Sequence, residues 1–272
     1  MLTSPALVSG VRLERISPRP TRMAMHVTVL PHSCNPARWY PIMTAFALDY
    51  RDTLFARDEK RPWLANRLNW RTHVCLTRHR DLIAGQRLLD LASHNGRLAY
   101  ACARLGARHI VGIEGRPDLV TVAREHFKTL GVPDDSYEFH AGDLHAFLEY
   151  CSPGQFDTIL CCGFFYHTIR HVEIVRQFNR LAPKAVILDT QVALGDPMLM
   201  QFEFEDASSK LHTIDSHGLI GRPSRSLTEA LLRIHGFEPE EIKWRELGIE
   251  DWSGLEPYRD GSRTTWVARL IG

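Results

Sequence analysis

The segment Arg87–Arg97 constrains the fold of this chain more than any other. It consists of a short apolar run, a turn of small residues and the start of a helical pattern, and a second apolar run, His109–Glu114, ends in a carboxylate. A strand that turns tightly into a helix N-terminus lets the backbone approach a ligand closely. An acid at the end of the neighbouring strand can accept hydrogen bonds from both hydroxyls of a ribose. The pattern therefore predicts a site for an adenosine-containing cofactor.

Composition limits the class of protein. The 272 residues suit one large domain, or one domain with additions, and 44% of them are hydrophobic and 24% charged, as in an ordinary globular protein. No apolar run reaches the roughly 18 residues that a membrane span requires. The formal net charge of +1 gives no overall attraction for nucleic acid or an anionic membrane. The six cysteines lack metal-like spacing and several lie in apolar runs, which predicts reduced thiols and a cytoplasmic location.

The chain divides into a less regular front part and a patterned remainder. Residues 1–38 contain arginines and prolines without an apolar signal core, and we expect a flexible segment there. Residues 39–272 are predicted to form the main domain. Its first part, residues 39–84, is helix-rich and is expected to cap one edge of the sheet or the mouth of the site. Its expected buried positions are Leu48, Leu54, Leu64, Leu68 and Leu76.

Strand and helix patterns then alternate, which predicts an α/β fold with a parallel sheet. The predicted strands are Arg87–Leu91, His109–Glu114, Tyr137–Ala141, Phe156–Cys162, one that begins at Ala185, Ile242–Trp244 and Thr264–Leu270. The predicted helices are Gly96–Leu105, Pro117–Leu130, Val172–Leu181, and one that opens with the capping box Ser226–Glu229 and ends at His235.

Residues 193–225 interrupt this alternation, and we interpret them as an insertion over the site. The segment is polar, so it is either a lid that contacts the acceptor or a solvated loop. Its acidic and imidazole side chains are Glu203, Glu205, Asp206, His212, Asp215 and His217.

The motifs over about residues 70–270 resemble those of the class I methyltransferases that use S-adenosylmethionine. The first motif of that family reads acid-x-Gly-x-Gly-x-Gly, and here Asp90–Gly96 carries Ala92 and His94 in place of two glycines. His94 puts a side chain where backbone usually approaches the amino-acid part of the cofactor, and Asn95 is a residue that tolerates positive φ. The resemblance implies a Rossmann-like doubly wound sheet, mostly parallel, with an antiparallel last strand.

The resemblance also implies how the cofactor is held. The first turn would bind the methionine amino and carboxylate groups, and the end of the second strand would bind the ribose. The end of the third strand would contact the adenine, and the end of the fourth would line the sulfonium side. In that order, the residues are Asp90, Ala92, Ser93 and Gly96; Glu114 and Gly115; Asp143 and Leu144; and Cys162 and Gly163. Arg71 is a candidate to bind the cofactor carboxylate or an acceptor anion, with a surface ion pair as the alternative.

Tyr166 and His167 are the candidate catalytic residues. They follow the fourth predicted strand, at the sheet edge where ligands bind. Methyl transfer from a sulfonium is a direct displacement, so the protein mainly aligns the reactants and excludes water, and a base is needed only for a protonated nucleophile. His167 is suited to be that base near neutral pH. Alternatively, its imidazole is bonded to a carbonyl near a helix N-terminus and the neighbouring aromatic residues are core.

Three functions follow as hypotheses. The preferred one is methyl transfer to an O or N atom of a small-molecule acceptor, because the net charge is near zero. The second is a transfer-RNA modifying enzyme, because the Phe-Tyr-His element at 165–167 resembles the Leu-Tyr-His element of wobble-uridine modifying relatives. The third is a non-catalytic cofactor-binding homologue, because His94 stands in the turn. The sequence leaves the oligomeric state open.

Two other kinds of site fit the sequence less well. A dinucleotide-binding oxidoreductase would carry Gly-x-Gly-x-x-Gly in the first turn, where this chain has Ala92, His94 and Arg97. A magnesium-dependent transferase would need oxygen ligands, but the fourth strand ends in Cys161-Cys162-Gly163 without an acid. We therefore predict neither a dinucleotide nor a bound metal.

Overall fold

The computed structural model describes residues 46–51, 53–57, 61–195, 197–206, 208 and 218–271. The flexible segment predicted for residues 1–38 lies outside the described residues. The side chains of His212, Asp215 and His217, which the sequence suggested as parts of a lid, also lie outside them. Within the described residues, no helix combines the length and the apolar composition needed to cross a membrane.

A seven-stranded sheet with the order β3-β2-β1-β4-β5-β9-β8 forms the centre of the described structure. Strands β1 to β5 run parallel, and β9 is antiparallel to both of its neighbours. A separate two-stranded hairpin joins β6 to β7. The strands are β1 Arg87–Leu91, β2 His109–Glu114, β3 Tyr137–Ala141, β4 Thr158–Cys162, β5 Ala185–Gln191, β6 Met200–Phe204, β7 Leu219–Pro223, β8 Phe237–Ile242 and β9 Arg263–Leu270.

Helices cover both faces of the sheet, so its inner strands are apolar on both sides. Leu89, Ile159 and Leu188 face a cluster that includes residues of α5, α6 and α7. Leu88 and Ile187 face a second cluster that includes residues of α2, α3 and α4. The helices are α1 Leu54–Arg57, α2 Leu64–Cys75, α3 Arg97–Arg104, α4 Pro117–Thr129, α5 Leu144–Tyr150, α6 His171–Leu181, α7 Arg225–Ile234 and α8 Glu256–Asp260.

The strand order opens a crevice between β1 and β4. From β1 the chain proceeds outward through β2 to β3, and then returns to the other side of β1 to form β4 and β5. The connections that leave β1 and β4 therefore depart in opposite directions, and ligands bind at the carboxyl ends of strands at such a switch point. The predicted Rossmann-like doubly wound fold, mostly parallel with an antiparallel last strand, is confirmed.

The helix-rich block that precedes β1 contains α1, α2 and a 3-10 turn, Thr77–Leu82. Of the leucines expected to be buried there, Leu64, Leu68 and Leu76 are buried, whereas Leu48 and Leu54 are half-buried. The division of the chain into a cap at 39–84, a domain at 39–272 and a lid at 193–225 stays a prediction.

The strand predicted at Ile242–Trp244 is wrong. The observed strand is β8, which ends at Ile242, and Trp244 begins a 3-10 turn, Trp244–Glu246. The Trp244 ring stacks on Tyr258 at 3.8 Å between centroids. Pro239 and the alternating glutamates are not typical of a central strand, so the sequence did not indicate one here. They are compatible with β8 because it lies at the edge of the sheet.

The capping box predicted at Ser226–Glu229 is also wrong. Helix α7 starts two residues earlier than that box implies, because its N-cap is Ser224, whose hydroxyl accepts a hydrogen bond from the Leu227 N–H. Glu229 accepts a hydrogen bond from the Trp266 indole instead, at 3.2 Å. The other predicted strands and helices agree with the structure to within two residues.

The insertion contains regular structure that its polar composition did not indicate. Residues of β6 and β7 pair in register from Met200 with Pro223 to Phe204 with Leu219. The hairpin is tied to the turn after β4, because the Gly221 N–H donates to the Thr168 carbonyl at 3.0 Å. The insertion is therefore anchored beside the carboxyl end of β4.

Candidate functional site

A pocket of about 430 Å³ opens at the carboxyl ends of β1, β2 and β4. Every residue predicted for the site lines it except Gly96. A Cβ at Gly96 would lie 3.0 Å from Phe127 and 3.2 Å from Phe139, so this glycine allows α3 to pack closely on its neighbours. The residues brought together are Arg71, Asp90, Ala92, Ser93, Glu114, Gly115, Asp143, Leu144, Cys162, Gly163, Tyr166 and His167.

The first turn achieves its shape with two non-glycine residues in left-handed conformation. Ala92 has φ of 53° and His94 has φ of 55°, whereas Asn95, the residue expected to take positive φ, does not. Such conformations are costly for L-residues and persist where surrounding contacts enforce them. Here the Ser93 N–H donates to the Ile113 carbonyl at 3.1 Å, which holds the turn against β2.

Glu114 connects the end of β2 to this turn. Its two carboxylate oxygens accept hydrogen bonds from the backbone N–H groups of His94, at 2.9 Å, and Arg116, at 3.1 Å. Burial raises the pKa of Glu114 above its ordinary value, and these two N–H groups oppose the rise. A carboxylate has about four lone-pair sites, so Glu114 retains acceptor capacity for hydroxyl groups in the pocket.

Asp90 is a buried carboxylate without a complete set of partners. Asp90 is the penultimate residue of β1 and is 2% exposed. Its Oδ2 has no hydrogen-bond partner among the described residues. Burial, together with the nearby Glu114 carboxylate, raises the pKa of Asp90 to about 7. The buried Ser93 hydroxyl likewise lacks a partner within the described part of the chain.

These groups fit an adenosyl cofactor with an amino-acid tail. A cationic amino group would satisfy Asp90, and Glu114 can accept from ribose hydroxyls. The described residues contain no group of three or more His, Cys, Asp or Glu side chains that could hold an ion. The absence of a metal stays a prediction.

Asp143 has a structural role at the same edge of the sheet. It is the N-cap of α5, and its Oδ1 accepts a hydrogen bond from the Ala146 N–H at 2.7 Å. The contact of Asp143 and Leu144 with adenine stays a prediction.

Arg71 lies beside the carboxyl end of β4. Its Nη2 donates to the Cys162 carbonyl and to Asp189 Oδ1, each at 3.1 Å. The ion pair that the sequence suggested for Arg71 therefore exists, but it is buried and not on the surface. A Cβ at Gly163 would lie 3.6 Å from Arg71 Nη2 and 3.5 Å from Arg263 Nη2, so both guanidinium groups rest close to this glycine.

His167 is paired with an acid from the insertion. Its Nδ1 lies 2.6 Å from Glu205 Oε2, and both side chains are about 10% exposed. The ring of Tyr166 lies against the imidazole, at 3.9 Å between centroids. The alternative had the imidazole bonded to a carbonyl, and for Nδ1 this is wrong, because its partner is Glu205. The same alternative expected core aromatic residues, and Phe165 is one.

Sequence reasoning missed the cluster around Asp189. This fully buried acid accepts hydrogen bonds from Arg263 Nε at 2.7 Å and from the Tyr258 hydroxyl at 2.7 Å, besides Arg71. Burial alone would raise the pKa of Asp189, but the charges of Arg263 and Arg71 outweigh it and hold the pKa below its ordinary value. An acid inside the apolar run Ala185–Thr190 was the available signal, because such an acid requires a buried partner.

Comparison with known proteins identifies the family to which the chain belongs. A family model described as a methyltransferase domain matches residues 83–210. A ubiquinone biosynthesis O-methyltransferase of Xanthomonas oryzae pv. oryzae is 34% identical over 188 residues, which cover 66% of this chain and 71% of that protein. A protein of the same name from Xanthomonas euvesicatoria pv. vesicatoria is 37% identical over 94 residues, 35% of this chain and 37% of that protein.

Solved structures agree on the fold. The N-terminal domain of EvdMO1, solved in the presence of SAH and D-fucose, has a TM-score of 0.55 at 19% identity, covering 78% of this chain and 84% of that chain. The chain spans less than half the length of the first curated relatives that it matches. It covers more than two thirds of the Xanthomonas oryzae protein, however. With the matching family model and this relative, the chain belongs to the class I S-adenosylmethionine-dependent methyltransferases, whose cofactor is S-adenosylmethionine.

Proposed function

We propose that this protein transfers the methyl group of S-adenosylmethionine to an O or N atom of a small-molecule acceptor. The observation that carries the proposal is the His167–Glu205 pair, at 2.6 Å, in the wall of the pocket that also contains Asp90 and Glu114. When bound, S-adenosylmethionine supplies a methyl carbon that is activated by a positively charged sulfur. The residues of the chain bind that cofactor, align an acceptor and remove a proton where the acceptor carries one.

Glu205 prepares His167 for the proton-transfer role. When Nδ1–H donates to the carboxylate, the neutral imidazole has its free lone pair on Nε2, which can accept a proton from an O–H or N–H group. The same carboxylate stabilises the imidazolium that would form. Tyr166 restricts the imidazole further, because the two rings are in contact.

A small molecule is favoured over RNA as the acceptor by charge and by enclosure. The net charge is +1, and the candidate base is about 10% exposed, within a pocket rather than on an open surface. Relatives are named as ubiquinone biosynthesis O-methyltransferases, a 23S rRNA uracil C5-methyltransferase and a ribosomal protein L11 methyltransferase, so their names alone do not select an acceptor class. A cytoplasmic location is part of the proposal, supported by the five free cysteines among the described residues.

A transfer assay with methyl-labelled S-adenosylmethionine tests this function. The protein is incubated with the small-molecule fraction and, separately, with the total RNA of a cell extract. We expect label in the small-molecule fraction, and we expect His167→Ala to lower the initial rate by about 100-fold or more, the scale of a lost general base. Glu205→Gln should lower the rate less, because it leaves the imidazole in place. Affinity for S-adenosylhomocysteine, measured by calorimetry, should stay near that of the wild type in both variants.

The matched control is His140→Ala. His140 is also paired with a glutamate, Glu138 at 3.1 Å, but it does not line the pocket. Label that appears only in RNA would replace the small-molecule acceptor with an RNA one, and salt-sensitive RNA binding should then accompany it. Absence of any heat of binding with S-adenosylmethionine would contradict the whole proposal. Binding of S-adenosylmethionine without transfer of label to either fraction would favour the non-catalytic cofactor-binding homologue.

A further inference from the structure

Three arginines form one wall of the pocket, which we call the arginine face: Arg67, Arg71 and Arg263. Arg67 and Arg71 lie four residues apart on α2 and therefore project from the same side of that helix. Arg263 is the first residue of β9 and is 1% exposed. The three positive charges are thus concentrated on one side of the crevice, beside the carboxyl ends of β4 and β5.

The acid that neutralises this face is Asp189, and it does not satisfy all three cations. Its carboxylate binds Arg71 and Arg263. Arg263 Nη1 and Arg71 Nε are nonetheless buried without a hydrogen-bond partner among the described residues. Arg67 has no ion pair within that part of the chain and instead lies 5.8 Å from the centre of the Trp63 ring. Burial and the neighbouring Arg263 lower the pKa of Arg67 to about 10, because they outweigh the opposing effect of the Asp189 charge.

The acids that fit the cofactor lie on the other side of the pocket. Asp90 lies near the end of β1, Glu114 ends β2 and Asp143 follows β3, whereas Arg71 and Arg263 flank Gly163 after β4. Bound S-adenosylmethionine would add a positively charged sulfur to the crevice. A second ligand that occupies the arginine side next to that sulfur is therefore stabilised if it carries a negative charge.

We propose that the arginine face binds an anionic oxygen group, a carboxylate or a phosphate, of the small-molecule acceptor. The proposal rests on the proposed function, since it specifies the acceptor introduced there. Asp189 holds the guanidinium groups of Arg71 and Arg263 in place before the acceptor arrives, so their positive charges are already fixed at the pocket wall. Arg67, which no acid among the described residues holds, completes the contact when the anion binds.

Binding of simple anions to the protein saturated with S-adenosylhomocysteine tests the proposal. Benzoate represents a carboxylate, phenyl phosphate and inorganic phosphate represent phosphates, and benzamide is a neutral molecule of nearly the same shape as benzoate. We expect at least one of the anions to bind the wild-type complex in calorimetry, and benzamide not to bind. In Arg67→Gln, affinity for that anion should fall at least tenfold.

Arg67 is the position to change because Arg71 and Arg263 also hold the buried Asp189, so their loss endangers folding. Arg78→Gln is the control, because it removes an equal charge from the exposed surface just after α2, outside the pocket. This control should keep the wild-type affinity for the anion. Equal binding of benzamide and benzoate, unchanged anion affinity in Arg67→Gln, or no binding of any anion would overturn the proposal.

One further outcome separates this proposal from the function on which it rests. If Arg67→Gln weakens S-adenosylhomocysteine itself tenfold, the arginine serves the carboxylate of the cofactor, and the proposed acceptor site is overturned. That result leaves methyl transfer intact. Failure of the labelled-methyl assay, in contrast, removes the proposed function while anion binding remains a separate measurement.

Discussion

At the scale of single residues, Glu114 has two roles, one in the first turn and one toward the cofactor. Its carboxylate holds the first turn through the His94 N–H, and it is the predicted partner of the ribose hydroxyls. The Glu114→Ala variant loses both roles, so affinity for S-adenosylhomocysteine should weaken by about 1–3 kcal/mol, the scale of hydrogen bonds to a charged group. Calorimetry measures this loss.

Glu114→Gln is the informative comparison for that prediction. The amide retains one oxygen that can accept from the turn but loses the negative charge, so its cofactor affinity should lie between those of wild type and Glu114→Ala. Unchanged affinity in the alanine variant would show that the ribose is bound elsewhere in the pocket.

At the scale of elements, the start of α7 shows how a helix is attached to its surroundings. The Ser224 hydroxyl accepts from the Leu227 N–H and from the Leu199 N–H, each at 3.2 Å, so one buried side chain caps the helix and ties it to the segment before β6. We expect Ser224→Ala to lower the free energy of unfolding by about 1–2 kcal/mol, as for the loss of an N-cap. Urea titration measures this change.

Ser226→Ala is the comparison variant for the cap, since Ser226 is the residue that the sequence pattern favoured. Its hydroxyl contacts that of Ser224, at 3.1 Å, but the N-cap of the helix is Ser224. It lies inside the first turn of α7, one residue after the helix begins. Its removal should change the free energy of unfolding by less than half as much as removal of Ser224. A larger effect at Ser226 would reverse the assignment of the cap.

At the scale of the whole molecule, the buried Asp90 should make stability depend on pH. Its pKa is about 7 in the folded protein and 3.8 in the reference state, so between these pH values the folded chain binds a proton that the unfolded chain has released. The free energy of unfolding of the cofactor-free protein should therefore fall as pH rises through this window.

Asp90→Asn should remove this fall, so that the variant gains stability relative to wild type by on the order of 2 kcal/mol from about pH 5 to about pH 7.5. A cationic amino group beside Asp90 favours its charged form, so S-adenosylhomocysteine should reduce the fall in the wild type. Urea unfolding at both pH values, with and without that ligand, measures both effects. Parallel curves for the two proteins would show that Asp90 titrates normally.

Local sequence determined the elements and the place of the cofactor pocket. Apolar runs such as Leu88–Leu91 are buried on both faces because helices follow them on both sides, and that alternation is sufficient to predict a parallel sheet. Residues at the ends of consecutive parallel strands meet at one edge. Asp90, Glu114 and Cys162 could therefore be assigned to one pocket without knowledge of any side-chain contact.

The tertiary structure decided which side chains became partners. His167 meets Glu205 across 38 positions, and Arg71 meets Asp189 across 118, through an inserted hairpin and a helix whose placement no local pattern encodes. Likewise, Ser224 rather than Ser226 is the cap, and its hydroxyl also accepts a hydrogen bond from Leu199, 25 positions away along the chain. Hydrophobic periodicity depends on neighbours along the chain and is legible in the sequence, whereas the pairing of buried charges depends on the folded geometry that brings distant segments together.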